Sequence, residues 1–422
     1  MSDSNIYSVS AREILDSRGN PTIEVTAILQ SGYRGVASIP SGASVGTYEA
    51  AELRDKDPKR YAGMGALKAV ENVNSIISPK IKGVDALNQA AADTLMIELD
   101  GTPNKSKLGA NSILGVSLAV AQASANHQRQ PLYQYLNTLA NNGKPGRMTR
   151  IPTPTFNVIN GGKHGGGNLN FQEYHLVPAS NKPFREALRV GVELYHRVGE
   201  LLITKGAVHA TGDEGGFAPN LSTNMDPLEI LTEAIRTSPY RFGTDVFFGL
   251  DIAASSFHTD RGYLIKDRPV AYTTNEFIEY ISDLHKIYRM LLIEDPLSED
   301  DWEGWIKITH DLGSEILMIG DDLLTTNPER LQHAIDKKAC SAILLKPNQI
   351  GSLTEFLNVV ALAKKNDIKT IVSHRSGETN DTFVSDLAVA IQSDYVKFGA
   401  PARGERVAKY NRLLTIESEL FP

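Results

Sequence analysis

Hydrophobic and polar residues follow different periods in the two parts of the chain. Near the N-terminus, apolar runs at residues 6–9 and 23–29 flank the turn-forming sequence at 17–21, which predicts strands joined by a turn. From about residue 62 to residue 138 the period is helical. Residues 108–125, rich in Ala, Ser and Val with few charges, predict a buried helix.

Residues 141–146, Asn-Asn-Gly-Lys-Pro-Gly, have the composition of a linker. A chain of 422 residues is too long for one small core. We therefore predict one domain at residues 1–140 and a second, larger domain at residues 141–422.

After this linker, short apolar runs alternate with amphipathic stretches, which is typical of a parallel α/β sheet or barrel. Six of these runs end at an ionisable residue: Asp251, Glu294, Asp321, Lys346, His374 and Lys397. In a barrel, the carboxyl ends of the strands open onto the face where active sites lie. The pattern therefore predicts that the six side chains share one rim. The alternative, that each charge only marks where a strand leaves the core, explains a single residue better than it explains six.

Three of the six residues, Asp251, Glu294 and Asp321, are carboxylates and hard oxygen ligands. Because no cysteine lies near them, the set favours Mg²⁺ or Mn²⁺ over zinc. Carboxylates crowded together repel each other unless something compensates their charge. The alternative is a salt-bridge network with Lys346 and Lys397.

Lys346 is the candidate general base. Beside a divalent cation and other cations, we expect the pKa of its ammonium group to fall. A base beside a metal that binds a carboxylate is suited to removing the proton α to that carboxylate.

Two glycine-containing segments add carboxyl groups. Glu173 follows the glycine-rich stretch 161–167, and Glu214 lies in Gly-Asp-Glu-Gly-Gly at 212–216. A carboxylic acid there could protonate a departing hydroxyl. Arg375 and Ser376 offer a guanidinium and a hydroxyl, which suit a phosphate.

Composition narrows the class of protein. The net charge of −7 gives no basic face for nucleic acid. The single cysteine, Cys340, allows no intrachain disulfide and is expected to be a buried structural thiol. We find no signal peptide and no run of about 20 apolar residues, so we predict a cytoplasmic protein without a membrane span.

Several motifs together resemble the enolase family over nearly the whole chain. They lie at residues 11–21, 40–44, 109–115, 212–216, 346–351 and 373–379. The resemblance implies an α/β fold with a C-terminal ββαα(βα)₆ barrel, similar to a TIM barrel, preceded by a smaller α+β N-terminal domain.

The resemblance also implies an activity, the reversible Mg²⁺-dependent dehydration of 2-phosphoglycerate to phosphoenolpyruvate in glycolysis and gluconeogenesis. Lys346 would be the base at C2, and Glu214 would be the acid at the C3 hydroxyl, helped by Glu173. The implied ligands of a first Mg²⁺ are Asp251, Glu294 and Asp321, with Ser44 at a second Mg²⁺ that forms with the substrate. The other implied site residues are His164, Gln172, His374, Arg375, Ser376 and Lys397. A homodimer or an octamer is the implied assembly.

The sequence departs from the common family pattern in the atypical glycine-rich loop at 161–168. Lys163 stands where a serine is usual before His164, and glycines follow it. Tyr174-His175 stands in place of Phe-Met, and Ser256 in place of a glutamate. One alternative is therefore an enolase-like paralogue that dehydrates a related phosphorylated or phosphonylated hydroxy acid. Another is a binding or scaffold role, for example at a cell surface or in an RNA-processing assembly. A secondary pool at the cell surface or in secreted form would accompany the cytoplasmic one.

Overall fold

The computed structural model describes residues 2–42, 46–165 and 169–422. Its strands are β1 (Ile6–Leu15), β2 (Pro21–Leu29), β3 (Arg34–Ser38), β4 (Thr153–Asn160), β5 (Glu173–Pro178), β6 (Val246–Asp251), β7 (His258–Thr259), β8 (Gly262–Tyr263), β9 (Met290–Glu294), β10 (Leu317–Gly320), β11 (Ala342–Leu345), β12 (Lys369–Ser373) and β13 (Tyr395–Lys397). Its α-helices are α1 (Leu67–Glu71), α2 (Ser78–Ile81), α3 (Gln89–Asp100), α4 (Ala110–His127), α5 (Leu132–Ala140), α6 (Phe184–Thr204), α7 (Asp226–Arg236), α8 (Thr274–Tyr288), α9 (Trp302–Leu312), α10 (Pro328–Lys337), α11 (Pro347–Ile350), α12 (Leu353–Lys365), α13 (Phe383–Ala390) and α14 (Gly404–Leu420).

The N-terminal part combines an antiparallel sheet with helices. The sheet has the order β1-β2-β3, of which β3 was not predicted. The Ala-rich helix α4 is buried along most of its length, as expected from its composition. It lies so close to β3 that a Cβ atom at Gly35 would be 2.2 Å from the carbonyl oxygen of Ala119. The small residues of both elements therefore permit this packing.

The C-terminal part is a closed eight-stranded barrel in the order β4-β5-β6-β9-β10-β11-β12-β13. Strand β5 runs antiparallel to β4 and β6, and the other neighbouring strands are parallel. Helices α6 and α7 separate β5 from β6, after which each barrel strand is followed by a helix. This order confirms the predicted ββαα(βα)₆ barrel. The short β7–β8 hairpin lies in the long connection after β6.

Side-chain caps mark where several barrel helices begin. Thr273 and Glu276 form a capping box at α8, and Asn327 and Ser352 accept backbone N–H bonds at the starts of α10 and α12. These caps end the loops that carry the ionisable side chains.

The direction of each strand decides which end reaches the mouth of the barrel. Because β5 is antiparallel, its first residue, Glu173, lies beside Asp251 at the end of β6, and Asp251 pairs with Glu294 at the end of β9. Below the mouth, the barrel interior is filled by apolar side chains: Val177, Leu292, Ile319, Ala342, Leu344 and Ile371. The strand ends that bear the carboxylates are therefore held in place by a packed apolar core.

Two further expectations concern burial and membranes. Cys340 is buried, and burial raises the pKa of its thiol to about 12, as expected for a structural cysteine. Within the described ranges, none of the helices has the length and apolar character needed to cross a membrane.

Candidate active site

A cavity of about 200 Å³ lies at the carboxyl ends of the barrel strands. The predicted site residues that line it are His164, Gln172, Glu173, Glu214, Asp251, Asp321, Lys346, His374, Arg375, Ser376 and Lys397. Glu294 lies just behind them in contact with Lys397. Ser44 falls outside the described residues, as does part of the 161–168 loop. The fold therefore brings these predicted site residues together at one rim of the barrel.

The three predicted metal ligands contact lysines. Lys397 Nζ lies 2.9 Å from Asp251 Oδ2 and 2.8 Å from Glu294 Oε2. Lys346 Nζ lies 2.5 Å from Asp321 Oδ2. The salt-bridge network considered from the sequence is thus present, and it joins the same carboxylates that were expected to bind a metal.

A fourth carboxylate, Asp295, belongs to this cluster and was not predicted. One oxygen from each of Glu294, Asp295 and Asp321 lies within 4.8 Å of the others, a spacing that one metal ion could span. Asp295 also accepts the backbone N–H groups of Asp321 at 3.0 Å and Asp322 at 2.7 Å. Asp295 therefore fixes the loop after β10. In the sequence, its position directly after Glu294 could have identified it as a member of the cluster.

The electrostatics of this cluster fit a divalent cation. Burial and repulsion from Asp251 raise the pKa of Glu294 well above its ordinary value. Burial and the neighbouring carboxylates do the same for Asp295, and they raise the pKa of Asp322 to about 7. The positive charges of Lys346 and Lys397 do not balance the negative charge of this many acidic side chains. Hard oxygen donors with excess negative charge are the donor set that Mg²⁺ favours.

The lowered pKa of Lys346 was expected beside a bound cation and stays a prediction; with the contacts of the described residues alone, the pKa of Lys346 is raised. Burial disfavours the ammonium group, but the carboxylates of Asp321 and Glu294 favour it, and the net effect is a raised pKa of Lys346. Lys346 in turn lowers the pKa of Asp321 in spite of burial. The sequence argument assumed that a cation already occupied the carboxylates, whereas here Asp321 stabilises the charged amine directly.

On another part of the cavity wall, His164 lies between two glutamates. Its Nδ1 is 3.2 Å from Glu173 Oε1 and 3.6 Å from Glu214 Oε1. Burial opposes a charged ring, but the two carboxylates raise the pKa of His164 to about 9. Burial and Glu173 oppose the ionised form of Glu214, yet His164 and His374 lower its pKa. The proton of this group therefore rests on His164.

His374 has a fixed tautomer. Arg406, fully buried, donates from Nη1 to His374 Nδ1 at 2.7 Å, so the proton of the neutral ring is on Nε2. That nitrogen lies 3.3 Å from Glu214 Oε2. Burial and Arg406 lower the pKa of His374, which is about 4. Burial, together with Arg406, which was not predicted, thus favours the neutral ring of His374 beside Glu214.

Arg375 and Ser376 follow His374 at the end of β12. Arg375 Nη1 lies 3.0 Å from Glu49 Oε2 and donates to Asn348 Oδ1 at 2.9 Å. Ser376 Oγ lies 3.3 Å from His164 Nε2. The guanidinium and hydroxyl expected to bind a phosphate are therefore both at the cavity, and Glu49 is an additional contact that was not predicted.

Two polar residues inside barrel strands were also missed. Asn157 on β4 donates to Glu214 Oε2 at 3.2 Å, and His175 on β5 lies 2.7 Å from Glu173 Oε2. Both are buried. Their signal in the sequence was a polar side chain within an otherwise apolar strand, which the search for strand ends overlooked.

Comparison with known protein families gives two matches. The model described as "Enolase, N-terminal domain" matches residues 6–136. The model described as "Enolase, C-terminal TIM barrel domain" matches residues 148–421. Together the two matches span most of the chain, and the second contains the whole barrel.

Proposed function

The chain belongs to the enolase family, and from this premise we propose that it catalyses the reversible Mg²⁺-dependent dehydration of 2-phosphoglycerate to phosphoenolpyruvate. It would be a hydro-lyase of glycolysis and gluconeogenesis. The observation that carries the proposal is that Lys346, a partly buried amine, lines the same cavity as the Glu173–His164–Glu214 group and the carboxylate cluster. A base, an acid and a metal site are the parts that this elimination needs.

Lys346 is the proposed base. In the elimination, the C2–H bond breaks and its proton passes to Nζ, which requires a neutral amine. Asp321, at 2.5 Å, favours the charged amine instead. If Asp321 binds a cation, its carboxylate stabilises the ammonium group less, and the pKa of Lys346 would fall. The base and the carboxylate cluster are therefore coupled through one contact.

Asp251, Glu294 and Asp321 would hold a Mg²⁺, which supplies stabilisation for the negative charge that develops on the substrate carboxylate. Asp295 is a further candidate in this cluster. A second Mg²⁺ site that includes Ser44 is part of the proposal, although Ser44 is outside the described residues. Gln172 donates to Asp251 Oδ2 at 3.2 Å and Lys397 contacts the same oxygen, so both would orient this ligand.

Glu214 is the proposed acid, with Glu173, His164 and His374 around it. The C3–O bond breaks and the departing hydroxide takes a proton to leave as water, while the C2=C3 bond forms. His164 lies 3.6 Å from Glu214 Oε1, so it would pass to Glu214 the proton that the leaving hydroxyl needs. Arg375 and Ser376 would bind the substrate phosphate.

A direct assay tests the whole proposal. Purified full-length protein, 2-phosphoglycerate and Mg²⁺ should produce the ultraviolet absorbance of phosphoenolpyruvate. Addition of EDTA should abolish the reaction, and excess Mg²⁺ should restore it. Absence of turnover by protein that demonstrably binds Mg²⁺ would contradict the proposed substrate.

That outcome would favour the paralogue that acts on a related phosphorylated or phosphonylated hydroxy acid. The specific feature behind this alternative is Lys163, which lines the cavity next to His164. A lysine there adds positive charge that a differently placed anionic group could use. A panel of such hydroxy acids, assayed with the same protein, separates the two substrates.

We also propose the organisation implied by the family. The domain boundary would lie between residues 140 and 141, at the end of helix α5. The working assembly would be a homodimer or an octamer, in which the substrate is a small molecule and nucleic acid plays no part. Analytical ultracentrifugation of the purified protein should show one of these two masses, and a monomer at micromolar concentration would contradict this part.

A further inference from the structure

His175 occupies an unusual position for an imidazole, within the wall of the barrel. It lies two residues after Glu173 on β5, so both side chains point to the same face of the strand. Only 1% of the residue is exposed. Across the sheet, a Cβ at Gly249 on β6 would lie 3.2 Å from the Cβ of His175 and 2.5 Å from Leu292 Cδ1. The absence of a side chain at Gly249 therefore leaves space for Leu292 and for the Cβ of His175.

The contact between His175 and Glu173 has a defined direction. His175 Nε2 lies 2.7 Å from Glu173 Oε2, and Lys397 Nζ lies 3.2 Å from the same oxygen. Burial opposes the ionised carboxyl, but Lys397, His164 and His175 keep the pKa of Glu173 well below its ordinary value. An ionised carboxylate only accepts hydrogen bonds, so His175 is the donor.

The two oxygens of Glu173 therefore have separate partners. Oε2 is held by His175 and Lys397 from inside the barrel, and Oε1 faces His164 Nδ1 at 3.2 Å. His164 in turn lies beside Glu214. A carboxylate held at one oxygen cannot rotate without breaking that hydrogen bond, so the direction of Oε1 depends on the donors at Oε2.

We infer that His175 is a positioning residue for the loss of the C3 hydroxyl: it holds Glu173 so that Oε1 keeps His164 beside Glu214. The inference rests on the proposed dehydration and refines it. It assigns His175 to the acid half of the reaction. Lys346, which contacts Asp321 after β10, belongs to the base half.

Two replacements and two rates test this assignment. His175→Met fills the space without a donor, and His175→Gln keeps an N–H donor. With the full chain and saturating Mg²⁺, phosphoenolpyruvate formation reports the complete reaction, and deuterium uptake at C2 of recovered 2-phosphoglycerate in D₂O reports proton removal alone. We expect His175→Met to lower kcat about tenfold, the equivalent of roughly one pKa unit of interaction, without change in KM or C2 exchange.

The conservative variant and a remote control complete the test. His175→Gln should recover most of the rate. His285→Met removes a similar contact, 3.1 Å from Glu315, far from the cavity on α8, and should leave both rates unchanged. Thermal unfolding of each variant checks the fold, and His175→Asn, whose amide is too short to reach, replaces His175→Met if the latter does not fold.

The assignment is overturned if kcat of the donor-free variant equals that of wild type, if dehydration and C2 exchange fall together, or if His175→Gln recovers nothing. Failure of the proposed function looks different, because the wild-type protein itself would then show neither phosphoenolpyruvate formation nor exchange at C2.

Discussion

The guanidinium of Arg375 and the carboxylate of Glu49 form a buried two-point ion pair, with Nη1–Oε2 at 3.0 Å and Nη2–Oε1 at 3.3 Å. The two residues come from different parts of the chain, since Glu49 lies in the N-terminal part and Arg375 follows β12. Glu49 Oε1 also accepts from the backbone N–H of Gly46 at 3.0 Å. Glu49 thus connects the backbone at Gly46, in the N-terminal part, to the arginine that we propose binds phosphate.

Replacement of Glu49 by Gln should weaken substrate binding. The two-point geometry fixes the plane of the guanidinium, and a neutral amide can accept at only one of the two positions. We expect KM for 2-phosphoglycerate to rise about tenfold, with a smaller change in kcat, as fits the loss of one charge-assisted hydrogen bond. Steady-state kinetics measure both values.

Tyr48→Phe is the matched control for this prediction, because it changes the neighbouring residue. It removes the hydroxyl contact to Asp300 Oδ1 at 3.1 Å but keeps the ring on the guanidinium of Arg330. We expect little change in KM. A Glu49→Gln variant that binds substrate more tightly than wild type would mean that Glu49 competes with the phosphate for Arg375 and does not orient it.

Replacement of Lys346 by Ala should abolish turnover while the fold and Mg²⁺ binding remain. Loss of a general base typically costs 10²- to 10⁴-fold, and we expect a fall in kcat of about 10³-fold. C2 exchange should be lost with it, unlike in the His175 variants. Lys337→Ala, an exposed lysine at the end of α10, provides the control. A near-normal rate in Lys346→Ala would remove this residue from the role of base.

Sequence reasoning located the strand ends but not the contacts between them. Apolar runs that end at Asp251, Glu294 and Lys397 were enough to place these residues on one rim, because a parallel barrel permits few other arrangements. The hydrogen bonds of His175 and Arg406 depend on which side chains meet across the barrel, and a strand pattern does not specify this. A strand pattern does not specify the pKa shift of Lys346 either, because the direction of that shift depends on the contact with Asp321.

Replacement of Asp321 by Asn should affect metal binding far more than folding. The amide keeps the size and one oxygen, but it removes the charge that a divalent cation requires. We expect the Kd for Mg²⁺, measured by calorimetry without substrate, to rise at least about tenfold. Asp336→Asn on the exposed side of α10 should leave it unchanged. Normal Mg²⁺ affinity in the Asp321 variant would contradict its assignment as a ligand.

The loop that carries His374 and Arg375 is also held by a buried ion pair, Lys409 Nζ to Glu378 Oε2 at 2.7 Å. Burial opposes the ionised form of Glu378, but Lys409 and Arg406 outweigh it and lower the pKa. A carboxyl with a lowered pKa stabilises the fold above its unfolded-state pKa of about 4.3, and this contribution is lost as the pH falls through the folded-state value.

Lys409→Met should therefore destabilise the protein by about 3 kcal/mol at pH 7, because it leaves a buried carboxylate without its main partner. Without Lys409, the pKa of Glu378 should rise, so the deficit relative to wild type should shrink as the pH is lowered towards 5. Urea unfolding at both pH values measures this. The double variant Glu378→Gln with Lys409→Met should recover part of the loss at pH 7, because it removes the unpaired charge. A deficit that is equal at both pH values would show that packing of the lysine stem, and not its charge, stabilises this loop.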